Sequence, residues 1–199
     1  MSQLSKQDVC LLKAVLAVDL AEVTKALSAG GNAALEHEGY TLPLYAVLPS
    51  AGGGKATDAD RARVMQQLIL CGADAEQPDL DGFMPIHQAA ILGFIEVVRV
   101  LLEANPDTVN AIAYGLCDRS WRRTTPLHSA AKSGNVELCE LLLENGANPL
   151  AKQPDGCLPW HWAEEGSAAE KLLASAANRC RSSRKRSTTQ RTAITRQPS

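Results

Sequence analysis

Apolar residues recur at spacings of three and four along several short stretches of the chain, and polar residues occupy the positions between them. The clearest stretches are residues 97–101 and 136–142, where Val and Leu alternate in this way with charged side chains. Such spacing places the apolar side chains on one face of a helix. The pattern predicts short helices that each bury one face.

The same signals return at nearly regular intervals. A proline recurs in a similar short segment at Pro43, Pro85, Pro126 and Pro159, at separations of 42, 41 and 33 residues. A glycine stands 13 residues before three of these prolines, at Gly30, Gly72 and Gly146. These intervals predict a repeated unit of about 33 residues. The longer separations place one insertion at residues 49–60 and another at residues 111–123.

Each unit contains the residues that typically begin and end a pair of helices. Proline suits the first turn of a helix, because its missing N–H needs no partner there. Thr125 precedes one such proline and is expected to cap free backbone amides. Gly93 and Gly134 are expected to separate the two helices of their units. Gly72 and Gly146 should end the second helix in a left-handed conformation.

The segment TTPLHSAAKSGNVELCELLLENGAN at residues 124–148 resembles the ankyrin repeat, and residues 85–105 resemble it nearly as well. The resemblance implies an all-α ankyrin-repeat solenoid of stacked helix-turn-helix units with short hairpin loops. Residues 1–178 would form the repeat domain, with units near 8–39, 40–80, 81–118, 119–153 and 154–178. It also implies that a protein partner binds at the hairpin tips, or fingers, and at the inner helices.

The histidines His87, His128 and His161 occupy the same place in successive units. Stacked helices lie roughly 8–10 Å apart, whereas a zinc ion holds its nitrogen ligands at about 2.1 Å. A metal site is therefore the weaker interpretation. The resemblance implies instead that this histidine makes hydrogen bonds to backbone between units.

The second insertion is the strongest candidate for partner contact. It contains Trp, Tyr and Arg, the residue types enriched at interface hot spots, and loops on a rigid scaffold often carry binding residues. A finger folded back on the core is the alternative. With the inner-helix positions that the resemblance implies, the candidate partner-binding residues are Phe83, Ile91, Leu92, Tyr114, Arg119, Trp121, Arg122, Arg123 and Lys132.

Charge divides the chain into two parts. Residues 179–199 carry seven Lys and Arg and no Asp or Glu, and removing these seven from the formal total of −2 leaves −9 on residues 1–178. The tail is poor in apolar residues and is expected to be disordered. Arg184, Lys185 and Arg186 could serve nuclear import or contact an anionic surface. Ser187 is a candidate phosphorylation site, and an inert solvated tail is the third interpretation.

Other functional classes find little support in the sequence. Ser129 adjoins His128, but neighbouring positions on a helix point apart, so no nucleophile–base pair is expected. The segment at residues 52–57 resembles a phosphate-binding loop only loosely and is expected to be a surface loop. The chain is therefore expected not to be an enzyme and to need no cofactor.

The six cysteines include no C-x-x-C pair, and no uncharged apolar run is long enough to span a bilayer. Small buried core thiols are expected. The sequence thus predicts a monomeric cytoplasmic adaptor or scaffold for a protein partner whose identity it does not give. The alternative is a nuclear regulatory protein that contacts nucleic acid only through its basic tail.

Overall fold

The computed structural model describes residues 4–48, 56–114 and 122–194. The described helices are α1 (Lys6–Ala17), α2 (Leu20–Ser28), α3 (Leu42–Val47), α4 (Asp58–Leu70), α5 (Pro85–Leu92), α6 (Ile95–Ala104), α7 (Pro126–Ser133), α8 (Val136–Glu144) and α9 (Ala168–Ile194). The described 3₁₀ helices are Pro106–Asn110 and Pro159–Trp162. The strands are β1 (Glu36–His37), β2 (Tyr40–Thr41), β3 (Ala113–Tyr114) and β4 (Arg122–Thr124).

The helices stack in two layers. The first helix of each unit contacts the first helix of the next, from α1 through α3, α5 and α7 to the 3₁₀ helix at residues 159–162. The second helices do the same, from α2 through α4, α6 and α8 to α9. We call the first set the inner helices and the second set the outer helices. The predicted all-α solenoid is confirmed.

One apolar core runs through the whole stack, from Leu11 in the first unit to Leu173 in α9. Alanine supplies the close approach between inner helices, because Ala89, Ala90, Ala130 and Ala131 are fully buried. Larger buried side chains on the outer helices, such as Leu138 and Leu142 of α8, supply much of the rest of the core. Each unit therefore buries its apolar face mainly against its neighbours.

The predicted breaks between paired helices are confirmed. Gly93 ends α5 at a φ of 76° and Gly134 ends α7 at a φ of 71°. Glycine takes this left-handed conformation without the steric cost that a Cβ brings. Val18 ends α1 at a φ of 55° although it is β-branched, a position where glycine would be expected to fit better.

Two features of the structure differ from the sequence-based expectations for the C-terminal region. The inner helix of the last unit is a short 3₁₀ turn. Helix α9 continues to Ile194, through the segment for which the sequence predicts disorder. Residues 168–194 contain no Pro or Gly, and burial of Ala169 and Leu173 anchors the first part of the helix. An anchored helix can extend without meeting a new nucleation cost.

The expectation of buried thiols is only partly right. Cys139 is fully buried in α8, where desolvation raises the pKa of its thiol to about 12. Cys10 and Cys71 are exposed, whereas Cys157 and Cys180 are half-buried. Within the described residues, no helix is both long enough and apolar enough to cross a membrane.

A buried arginine joins the two helices of the second unit. Arg61 in α4 is only 5% exposed, and its Nη1 donates to the backbone oxygens of Ala46 and Leu48, each at 2.8 Å. Its guanidinium also lies 5.1 Å from the centre of the Phe94 ring. Arg61 thus supplies donors to carbonyl groups at the end of α3 that the helix itself leaves without partners.

We expect Arg61→Met to lower the free energy of unfolding by about 1–3 kcal/mol, because buried carbonyl groups lose charged donors. Urea unfolding followed by circular dichroism measures the change. Arg63→Met is the matched control, since that side chain is 67% exposed and pairs with Asp60 only at 3.9 Å. Equal destabilisation by the two substitutions would contradict the assignment.

Candidate interaction surface

In the described stack, four fingers connect the outer helix of one unit to the inner helix of the next. The first finger is the β1–β2 hairpin and the third is the β3–β4 hairpin. The second finger is the turn at residues 79–83, which the bond from Asp79 N–H to Phe83 O closes at 2.9 Å. The fourth is the turn at residues 153–157, which the bond from Gln153 N–H to Cys157 O closes at 3.0 Å.

The buried carboxylate of Asp79 holds the second finger in shape. Its Oδ1 accepts from the N–H groups of Asp81 at 3.0 Å and Phe83 at 2.8 Å. Its Oδ2 accepts from Nε2 of Gln88 on α5 at 3.0 Å. The finger and the inner helix are therefore tied through a single side chain.

Gln153 has the corresponding role in the fourth finger. It is 4% exposed, and its Nε2 donates to Oγ1 of Thr124 on β4 at 2.9 Å. Its Oε1 accepts from Nε1 of Trp162 at 2.8 Å. These two bonds join the third finger, the fourth finger and the last inner turn. Sequence reasoning missed both Asp79 and Gln153, because an isolated polar residue in a loop gives no sign that it is buried.

The repeated histidines are structural at the positions where they are buried. His87 is fully buried, and its Nε2 donates at 3.1 Å to the oxygen of Ala111, at the base of the third finger. Nδ1 of His128 accepts from the N–H of Thr125 at 3.3 Å and lies 2.9 Å from the Thr125 hydroxyl. Among the described residues, no group of three or more His, Cys, Asp or Glu could hold a metal ion.

The hydroxyl of Thr125 faces the imidazole of His128, at 2.9 Å from Nδ1. One detail of this arrangement differs from the expectations. His161 is exposed, and its Nδ1 accepts from the N–H of Leu158 at 2.8 Å, within its own unit. The last unit has no following unit in the described stack for this histidine to contact.

Burial lowers the pKa of both His87 and His128 to about 4, because desolvation penalises the charged imidazolium. The hydrogen bond to the carbonyl of Ala111 raises the pKa of His87, but its effect is weaker than that of desolvation. Both rings are therefore neutral near neutral pH. A neutral ring matches the hydrogen bonds, since Nδ1 of His128 accepts a bond and must carry no proton.

Those predicted partner-binding residues whose side chains the structure describes do not form one exposed cluster. Phe83 is 9% exposed and packs edge-on to His87, with ring centres 6.1 Å apart, so its assignment as a surface residue is wrong. Ile91 is half-buried, and Leu92 at the end of α5 is 39% exposed. Phe83 is buried because the second finger folds its last residue back onto the inner helix.

The third finger does present exposed side chains. Tyr114 on β3 is 62% exposed, and Arg123 on β4 is exposed as well. Lys132 is exposed at the end of α7, where its ammonium lies 5.6 Å from the centre of the Trp162 ring. Arg122 lies in β4.

Several candidate residues have side chains that the structure does not describe. Arg119 and Trp121 lie outside the described residues, as do most of residues 49–60 of the first insertion. The backbone of α9 includes positions 184–187, but the side chains of Arg184, Lys185, Arg186 and Ser187 lie outside the description.

Leu80 adds an apolar group at the tip of the second finger. It is 65% exposed, and a Cβ placed on Gly39 would lie 2.5 Å from its Cγ. The side chain of Leu80 thus rests on the turn of the first finger, at a position where only glycine leaves room. The first and second fingers abut through this contact.

Comparison with known proteins agrees with this architecture. A family model described as ankyrin repeats (3 copies) matches residues 55–153 and 109–184. The chain belongs to the ankyrin-repeat family, whose repeats are protein-interaction modules.

Among curated relatives, the chain is 30% identical to the ankyrin repeat protein nuc-2 of Neurospora crassa, over 55% of this chain and 13% of that protein. It is 29% identical to the mitochondrial disaggregase of Bos taurus, over 94% of this chain and 26% of the relative. It is also 32% identical to the palmitoyltransferase Hip14 of Drosophila melanogaster, over 52% of this chain and 15% of that protein. The chain thus matches no more than about a quarter of the length of each of these relatives.

We expect stability to fall as the pH is lowered from 6.5 towards 4. An unfolded histidine has a pKa of about 6.5, whereas the folded values are about 4, so protons bind preferentially to the unfolded chain between these limits. The stabilisation that comes from keeping these two histidines neutral is fully present above pH 6.5. Urea unfolding at pH 7, 6 and 5 measures the slope.

The double variant His87→Gln/His128→Gln should be less stable at pH 7 but should show a flatter dependence on pH between 7 and 5. Carboxylates with lowered pKa, such as Asp8 and Asp155, act in the same direction, but mainly below about pH 4, the ordinary pKa of Asp. An unchanged slope in the double variant would contradict the role given to the two histidines.

Proposed function

We propose that the chain is a non-enzymatic adaptor or scaffold that binds a protein partner through its fingers and inner helices. The observation that carries this proposal is that three of the five exposed large apolar residues described lie on fingers or an inner helix. Leu80, Leu92 and Tyr114 are 65%, 39% and 62% exposed, on the second finger, the inner helix α5 and the third finger. Exposed apolar and aromatic groups with a polar surround are typical of interface centres.

The rigidity of the fingers supports the same function. Asp79 and Gln153 tie fingers to helices through buried hydrogen bonds, and His87 holds the base of the third finger. A binding surface that is already ordered loses less conformational entropy when a partner binds. The fingers can therefore use their contacts for affinity and specificity.

The chemistry of the buried groups favours binding over catalysis. His87 and His128 are fully buried and engaged in structural hydrogen bonds, and Ser129 beside them is also fully buried. A substrate would need to open the helix stack to reach these groups. The proposed role is thus recognition, with the fold as its scaffold.

The decisive test compares partner capture by the wild type with capture by Leu92→Ala/Tyr114→Ala. A truncated hot-spot residue costs about 2 kcal/mol, which is roughly a thirtyfold loss of affinity. Quantitative mass spectrometry of proteins recovered from cells measures the change. The control is Leu70→Ala, because Leu70 is 76% exposed but lies on the outer helix α4.

The proposal requires that a set of proteins be depleted in the double variant and retained in the Leu70→Ala control. Equal recovery of every protein by the wild type and the double variant would refute it. Circular dichroism establishes that both variants keep the fold.

A nuclear regulatory protein remains the second candidate, in which the basic tail provides nuclear import or contacts nucleic acid. The continuation of α9 to Ile194 favours it, because this places Arg184, Lys185 and Arg186 on one continuous helix beyond the repeats. Phosphorylation of Ser187 would reduce the positive charge there. In the first candidate function the protein acts as a cytoplasmic monomer.

Deletion of residues 179–199 separates the two functions. If the tail acts in the nucleus, deletion should abolish nuclear accumulation of a fluorescent fusion, and salt-sensitive nucleic-acid binding should be lost with it. If the adaptor function alone applies, localisation and partner recovery should both be unchanged. The control variant Lys6→Gln/Lys13→Gln removes positive charge from α1 instead.

A further inference from the structure

A basic cleft separates the third finger from the segment that leads into the fourth. Its volume is about 470 Å³, and Arg123 and Lys152 are the charged residues that line it. Ile112 and Leu150 give it apolar walls. A volume of this size lies in the range of binding clefts.

A β-bulge places Arg123 at this cleft. Ala113 pairs with Thr124 and Tyr114 pairs with Arg122, so Arg123 is an extra residue on β4. Its φ is 59°, in the left-handed region. A bulge redirects the side chain of its extra residue, and glycine or asparagine would occupy this conformation at a lower steric cost. Arginine at such a strained position points to a role for its side chain.

The walls of the cleft are fixed across two units. Asn110 donates from Nδ2 to the oxygen of Gly146 at 3.0 Å, and its Oδ1 accepts from the N–H of Asn148 at 2.8 Å. These bonds join the 3₁₀ helix at residues 106–110 to the loop after α8. The position of Lys152 relative to Arg123 is therefore set by the stacking of the units.

The charge of the cleft is unbalanced. Arg123 and Lys152 are both exposed, and none of the described residues that line the cleft is a carboxylate. Two cations in a partly apolar cleft attract an anionic group more strongly than they would on an open surface. The guanidinium can bind a carboxylate through two parallel hydrogen bonds, and the ammonium adds a point charge.

We propose that this cleft binds carboxylate side chains in an acidic segment of the protein partner. The inference rests on the proposed function and adds the chemistry of one contact. The charge of −9 on residues 1–178 argues against a long polyanion such as nucleic acid, because the surrounding field repels it. A short acidic segment needs only the local cations and gains from the apolar walls.

The test uses a fluorescein-labelled hexa-aspartate peptide and the full chain, with binding followed by fluorescence anisotropy. We expect the peptide to bind, and Arg123→Asn/Lys152→Gln to weaken its affinity by about tenfold or more, the loss expected when hydrogen bonds to charged groups disappear. Amide chemical shifts near residues 123 and 152 should change on titration in the wild type.

The substitutions are chosen to preserve the fold. Asparagine tolerates the left-handed conformation, so Arg123→Asn should not lower the midpoint of thermal unfolding. Lys152→Gln alone, at an exposed position, should give a smaller loss of affinity. Lys6→Gln/Lys13→Gln removes the same net charge from exposed positions on α1 and should leave the affinity nearly unchanged.

Three results would overturn the inference. The first is that the acidic peptide fails to bind the wild type, and the second is that the cleft and α1 variants lose equal amounts of affinity for it. The third result is that a single-stranded oligonucleotide or inorganic phosphate binds at the same residues more tightly than the peptide does. Its failure is distinct from that of the proposed function. If the acidic peptide does not bind but Leu92→Ala/Tyr114→Ala still depletes partners, only the chemistry assigned to the cleft is wrong.

Discussion

Each helix pair depends on its neighbours for the burial of its apolar face. The inner helices approach closely because the alanines between them, such as Ala90 and Ala131, are small and fully buried. The larger buried side chains lie between the inner and outer layers. The apolar stripe of one short helix pair is too small to offset the conformational entropy of ordering it. Stacking makes one continuous core, and the positions of the fingers and of the cleft follow from it.

Polar groups then determine where the fingers lie on this core. Asp79, His87 and Gln153 are all buried and make specific hydrogen bonds. A buried polar group without a partner is costly, so each of these side chains selects one arrangement of its finger. Apolar packing alone is less directional, and it would hold the helices without fixing the loops. This division explains how variable surfaces can be carried on a regular stack.

The irregular parts of the chain carry the features proposed for recognition. The long third finger contains the exposed Tyr114 and the bulge at Arg123. Neither is needed for stacking, and the left-handed arginine is a conformation that stability alone would not favour. Strain that persists in an otherwise regular array is expected where a side chain has a binding role. The third finger therefore contributes both to the exposed apolar groups, through Tyr114, and to the basic cleft, through Arg123.

The sequence by itself determined the repeat, because helix periodicity, the prolines and glycines such as Gly134 act locally and recur at fixed spacing. It also identified the third finger as unusual, from its length and composition. Only the tertiary structure decided which of the candidate partner-binding residues are exposed: it buried Phe83 and left Tyr114 exposed. It also brought Lys152 to the same cleft as Arg123. Burial and long-range proximity depend on how units stack, and no local pattern encodes the neighbour that a loop residue will meet.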